Sequence, residues 1–528
     1  MRSPLRRLRA ARLAATALLL AAAPAAAQRT GPTLTVLQLN DVYRIDAVYN
    51  GRAGGIGRVE TLARQLRGSG TTDLMTFHAG DAIAPSLESR YFAGQQMIAA
   101  LNHLDGAAPL LFVPGNHEFD ERRQAAFVAA VKASDFPWLA GNLALATGDA
   151  QVDGQVGHDT VIVTPGGLKV GVFTLTFLDS PRDWARADSA FVQDAERMIT
   201  GLERRGADVI VGLTHLAHDT DRQVSRLRRR HPRFAWICGG HEHFRIYDAL
   251  TDTSAMITKG ESNARGIWQV TLSSSGRRGM ARAQPIEVDS TIAIDPAYQR
   301  EVADVWAARL RQRVPFLDAV IGRSETMMDA TEETVRGSES AWADWLADQM
   351  RTAYPTLPAD IAVLNGGSLR IDDTFGDTLR WEHIARTFGF PTRVALVTLH
   401  GRDVRGMFEN SVSGGRGEGR FLQVSGVKVT FDRSRPERER VLDVQVQRGT
   451  SFSPLADDST YVVAVPDYIY GGGDRYTFAR NAVAKVEPGP DLKLIAFDAL
   501  SNLYARGQAI APRVEGRLID RTPRGTDR

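Results

Sequence analysis

One cysteine, Cys238, stands in 528 residues, so no internal disulfide can staple this chain. Stability has to come from large apolar cores or from bound ions. Cys238 lies inside the apolar run "FAWIC" and reads as a small buried hydrophobe. An excess of charge is also missing: 64 Lys and Arg face 62 Asp and Glu, a net +2. That balance excludes a field built for a nucleic-acid polymer or an anionic membrane. Beyond the N-terminus there is no repeat, no low-complexity tract and no apolar stretch approaching the ~20 residues of a membrane span. The content that is present, 43% hydrophobic and 24% charged residues, sits near the average of soluble globular proteins. The length exceeds that supported by one core, which predicts two domains or more.

The first 27 residues combine a basic head, an Ala/Leu-rich middle and Ala25-Ala26-Ala27 before Gln28. This is the pattern of a cleaved secretory signal, and it predicts a secreted or periplasmic protein. From Thr33 to about Val288 short apolar runs ("LTVLQL", "LMTF", "LLFV", "VGVFTLTF", "ADVIVGL", "FAWIC") alternate with amphipathic stretches such as "GRVETLARQLRG" and "AERMITGLERRG". Such alternation predicts an α/β domain with largely buried strands and helices that stop at glycine. A polar helix opening near Pro296 and broken before Pro315 reads as a connector over 296–325. A second α/β alternation runs from 326 to 520, and 521–528 read as a frayed tail.

The residues just after the apolar runs of the first half carry the chemistry. Asp41 comes after the first run, and "HAGD" brings Asp81 after the second. "PGNHEFD" then brings Asn116, His117 and Asp120. "THLAHD" supplies His215, and "GGHEH" supplies His241 and His243. In an open α/β sheet functional groups gather beyond the carboxyl ends of the strands. Carboxylate, amide and imidazole donors together suit Mn, Zn, Fe or Co, whereas an all-oxygen set would suit Mg or Ca. Singly, an Asp after a strand is an ordinary cap or turn residue and an HxH can be a surface loop. The ordered set is far more specific.

The motifs "LND", "AGD", "PGNHEFD", "GLTH" and "GGHEH" resemble those of the secreted 5'-nucleotidase family, within the calcineurin-like metallophosphoesterases. The resemblance runs from about Thr33 to about Ile519. It implies an N-terminal four-layered αββα sandwich (28–295) holding two divalent or mixed-valence metal ions, and a C-terminal α/β substrate-binding domain. By motif, Asp41 and His243 would hold the first metal, with Asp81 bridging to the second. Asn116, His215 and His241 would complete the second, and His117 backed by Asp120 would be the catalytic dyad. "TVRGSESAWADWLADQMR", "NGGSLR", "TFGF" and "GGGDRYTF" resemble the family's substrate segments. They imply Arg336, Asn365 and Arg370 against nucleotide or phosphate, and Phe388 and Tyr476 stacked on the base. Asp474 reads equally as structural or as a ligand contact.

The implied activity is hydrolysis of nucleoside 5'-monophosphates through in-line attack of a metal-bridging water. Hydrolysis of UDP-sugars or 2',3'-cyclic nucleotides, or a catalytically silent nucleotide-binding module, are the alternatives. Three positions depart from the family: His243 stands where Gln is common, Tyr476 where Phe is typical, and the Asp-x-His pattern is Asp41-Val42-Tyr43 here. Tyr43 could ligate as a phenolate, stand beside the metal, or mark its loss.

Overall fold

The computed structural model describes residues 31–121, 123–179 and 181–523; the predicted signal segment, 1–27, lies outside them. Two sheets build the first half. In one, Leu34–Leu39 runs parallel to Leu74–His78, which runs parallel to Leu110–Phe112. The long hairpin Gly266–Ser275 and Arg278–Glu287 closes its other edge antiparallel. In the second, Lys169–Thr176, Val209–His215, Phe234–Gly239 and Met256–Lys259 are parallel neighbours. Asp159–Val163 and Ile246–Asp248 are its antiparallel edges.

The sheets face each other across one apolar layer. Val36, Phe77, Leu111, Val170, Val211, Leu213, Trp236 and Val270 all belong to it, and so does Cys238, 0% exposed. The outer face of the first sheet is covered by helices Ile56–Gly68, Gln95–Ala107 and Ala125–Ala133. Phe191–Arg204 and His218–Ser225 cover that of the second. Strands buried on both faces need continuous apolar runs, and this is why the sequence shows runs rather than strict alternation. The result is the expected αββα sandwich.

The connector is helical from Pro296 through Arg313 and includes a π turn at Gln299–Ala303; Asp295 caps its start by accepting from Ala297 N and Tyr298 N. Tyr298, Val302 and Ala303 pack into the first half, while Leu310, Val314 and Leu317 cluster with Leu87 and Ala385. The boundary expected at 325 is corrected. Val320–Ala330 is one strand paired antiparallel with Asp373–Arg380, so residues 320–325 belong to the second half. Of the tail expected at 521–528, only 521–523 are among the described residues. Leu518–Asp520 pairs parallel with Val427–Phe431, and Arg521 N donates to Phe431 O at 2.7 Å. The second half is centred on a sheet ordered Leu422–Ser425, Ile361–Asn365, Thr460–Pro466, Val394–His400 and Ala484–Val486.

Candidate metal centre

All five strand ends singled out in the sequence open on one place. Their backbones are strained there: Asp41 (φ 53°), Asp81 (φ 60°) and His241 (φ 83°) are all left-handed, a region that non-glycine residues enter mainly where the surroundings force it. Glycine is needed between them. A Cβ on Gly115 would stand 2.2 Å from Asp81 Oδ1, and one on Gly240 would stand 2.1 Å from Ala79 O.

Asp41, Asp81 and His215 are 0–1% exposed and offer ligand atoms all within 4.8 Å of one another. His215 Nδ1 bonds Ala79 O at 2.6 Å, which turns Nε2 toward Asn116 Oδ1 (3.1 Å) and Asp81 Oδ2 (3.3 Å). Asn116 Nδ2 donates to Asp179 Oδ2 at 2.8 Å, so its carbonyl oxygen is the atom facing inward. Asp81 Oδ1 takes His117 N at 2.9 Å, leaving Oδ2 between the two halves of the cluster. His241 stands beside His215, ring centroids 5.6 Å apart, and is held edge-on against Phe177. Carboxylate, amide and imidazole donors thus converge on one place. Burial by itself would lower His215, yet the charges of Asp81 and Asp41 push it up to about 10. Such a field calls for a cation, and the donor set fits one.

On the other side, the Tyr43 phenolic oxygen lies 3.1 Å from Asp41 Oδ1, 3.1 Å from Asp81 Oδ2 and 3.0 Å from His243 Nε2. Asp41 Oδ2 is occupied by Asn40 Nδ2 and His241 N. His243 Nδ1 meets Glu332 Oε1 at 2.5 Å. Glu332 comes from the second half, and sequence reasoning missed it. Burial would raise its pKa, but Arg336 (2.6 Å), His243 and Arg265 (3.3 Å) hold it well below the usual carboxylate range.

His117 Nδ1 bonds Asp120 Oδ2 at 2.8 Å, and Nε2 reaches to 3.8 Å from Asp81 Oδ2. Burial opposes its protonation, but Asp120 and Asp81 push it up to about 9. Two further residues escaped the sequence reading. Glu118 accepts from the backbone N–H of Asp81, Ala82, Ile83 and Gly115, tying the "AGD" loop to the "PGN" turn. Lys259 joins the "GLTH" and "GGHEH" loops through Leu216 O and Gly240 O. A lone Glu or Lys carries no local signal of such a role.

The substrate residues are placed differently from expectation. Phe388 is 0% exposed in the core around Trp342 and Leu364. Tyr476 is 2% exposed, its hydroxyl donating to Arg420 O at 2.6 Å. A stacking ring must offer a free face, so both are corrected to packing residues. Phe390, two residues on, is half-buried and lies 5.7 Å from the His117 ring. Arg336 is committed to Glu332. Asn365 spans Ser368 (2.6 Å) and Asp474 (3.1 Å), which makes both Asn365 and Asp474 parts of a loop brace. Arg370 does reach the centre. Its guanidinium lies 5.5 Å from the centroids of both the Tyr43 and Phe390 rings, and its buried Nη1 has no partner.

The profile of calcineurin-like phosphoesterases matches residues 34–245, and that of the 5'-nucleotidase C-terminal domain matches 320–480. The chain belongs to the 5'-nucleotidase family of metallophosphoesterases. It is a metal-dependent phosphoric ester hydrolase. A 5'-nucleotidase of Diplobatis ommata is 24% identical, covering 92% of this chain and 89% of its own. A 5'-nucleotidase precursor from Thermus thermophilus superposes with a TM-score of 0.75 at 21% identity, covering 92% of this chain and 99% of that one. A sulfate thiohydrolase, SoxB, also of Thermus thermophilus, superposes with a TM-score of 0.69 at 15% identity, covering 92% and 96%. The fold is therefore shared by proteins named for different reactions. Among the described residues no helix is long and apolar enough to cross a membrane.

Proposed function

We propose that this chain is an exported two-cation phosphoesterase that releases phosphate from nucleoside 5'-monophosphates. In this reading Asp41, Asp81 and His243 hold one ion, and Asp81, Asn116, His215 and His241 the other. Residues 1–27 direct export, and the second half supplies substrate contacts. The observation that carries it is the convergence of inward-facing lone pairs beside a bonded His117–Asp120 pair, in a chain that carries a 5'-nucleotidase C-terminal domain. Bound cations at such a site act as Lewis acids and make water nucleophilic at neutral pH.

The chain's own groups do the rest. Asp120 fixes the His117 ring so that Nε2 faces the centre, where its N–H can donate to the phosphoryl or leaving oxygen as the P–O bond breaks. Arg370, its guanidinium 5.5 Å from the Tyr43 and Phe390 ring centroids, keeps an unpartnered Nη1 suited to a phosphate oxygen. Phe390 offers a ring face beside the dyad. UDP-sugars and 2',3'-cyclic nucleotides present the same groups, so the substrate is decided by assay.

With Mn2+ and AMP the protein is expected to release adenosine and phosphate faster than it turns over UDP-glucose or 2',3'-cyclic AMP. His117→Ala should lower kcat by ~10²–10⁴ with metal content unchanged. Nucleotide binding without turnover would establish the silent module instead, and metal loss in His117→Ala would show that the role assigned to His117 is wrong.

A further inference from the structure

Tyr43 places a phenol inside the donor set. Its oxygen is surrounded by Asp41 Oδ1, Asp81 Oδ2 and His243 Nε2 at 3.0–3.1 Å, and His243 Nε2 stands 3.3 Å from Asp41 Oδ1. Atoms bound ~2.0–2.2 Å from one ion stand roughly 2.8–3.6 Å from each other at tetrahedral to octahedral angles. All four separations fall in that window. The partners of these atoms point the same way. The other oxygen of each carboxylate already accepts a backbone N–H, and His243 Nδ1 is taken by Glu332. Two carboxylate oxygens and an imidazole nitrogen therefore crowd one hydroxyl.

We propose that Tyr43 supplies its phenolic oxygen as a ligand to the first cation, giving a hard, oxygen-rich site that selects a trivalent ion such as Fe(III). Asp41, Asp81 and Tyr43 would give the ion three oxygen donors beside the one nitrogen of His243, while Glu332 is balanced by Arg336 and Arg265. Hard oxygen donors favour hard ions. On binding, the O–H bond breaks, the phenolic proton passes to solvent and the oxygen pair becomes the bond to the ion, with no change of oxidation state. Glu332 acts as a positioning residue, holding the His243 ring so that Nε2 faces the same point.

The inference rests on the two-cation reading, and the test separates the two. Purified protein is equilibrated with ferric citrate and Zn2+, metal content is measured by mass spectrometry, and the visible spectrum is recorded. About two metals per chain and a phenolate-to-Fe(III) charge-transfer band are expected. Tyr43→Phe should lose the band and the iron but keep Zn2+, and Tyr43→His should bind two metals with no band. Two metals including iron without a band, or a band that survives Tyr43→Phe, overturns Tyr43 as ligand and leaves the hydrolase reading standing. One metal per chain in the wild type, rising to two in Tyr43→His, shows that the hydroxyl fills the site, which also overturns the inference. A wild type that binds no metal overturns both.

Discussion

Lys259 is 0% exposed, and its ammonium meets Asp221 Oδ2 (2.8 Å), Glu242 Oε2 (2.5 Å), Leu216 O (2.6 Å) and Gly240 O (3.0 Å). Burial opposes its charge, and Asp221 and Glu242 more than restore it. Because Leu216 comes just after His215 and Gly240 just before His241, one cation fastens two of the loops that build the centre. Lys259→Met leaves two carboxylates buried without their partner, a change that costs ~3–5 kcal/mol. Denaturant unfolding should register that loss, with metal affinity falling alongside it; a stable variant with native affinity would show that the loops hold without the lysine.

At the scale of elements, helix Ala341–Arg351 is packed through Trp342, Ala343, Leu346 and Met350, yet it also buries Asp344. Burial pushes Asp344 up to about 9, with Glu339 and Asp348 adding to the rise and Arg517 opposing it. Glu339 already accepts from Glu515 N and Leu518 N, so a neutral Asp344 can donate to it and link the helix to the final strand. The sign comes from the raised value. The stability this group contributes is complete below the ordinary carboxylate pKa and is lost as pH rises through about 9. Asp344→Asn keeps a donor and removes the titration. It should be more stable than the wild type at pH 8 by ~1–3 kcal/mol and show a flatter stability profile from about pH 5 to about pH 9. Parallel profiles for the two proteins would refute the assignment.

The whole molecule is organised so that its second half touches the centre built by the first. Glu332 holds His243, Arg386 pairs with Glu88 at 2.7 Å with both side chains largely buried, and Asn263 donates to Asp372 at 2.9 Å. The convergent carboxylate–imidazole cluster lies in the first half alone among the described residues. Chelation should therefore lower the thermal transition of the first half, by an amount equivalent to ~4 kcal/mol if the metal had been present at about a thousand times its Kd. The transition of the second half should stay in place. Scanning calorimetry with and without EDTA checks this; equal shifts of both transitions would mean that the halves unfold as one unit.

Local pattern was enough for the sandwich and for the donors that gather at its strand ends. Strands such as Leu34–Leu39 and Phe234–Gly239 are apolar on both faces, and Asp41, Asp81, Asn116, His215, His241 and His243 stand at or shortly after strand ends. Motif order and burial periodicity are properties of the chain itself, so they survive without coordinates. Packing decided the rest. Phe388 and Phe390 differ by two positions in one short motif, and only the tertiary structure tells which ring enters the core and which faces the dyad. Glu118, Lys259 and Glu332 act through distant partners, Glu332 on a histidine 89 residues away, and no local pattern encodes a long-range hydrogen bond. Tyr43 joins the two levels: the sequence by itself determined that a phenol stands where an imidazole was expected. Only the fold, by closing three other donors around its oxygen, decided what that phenol faces.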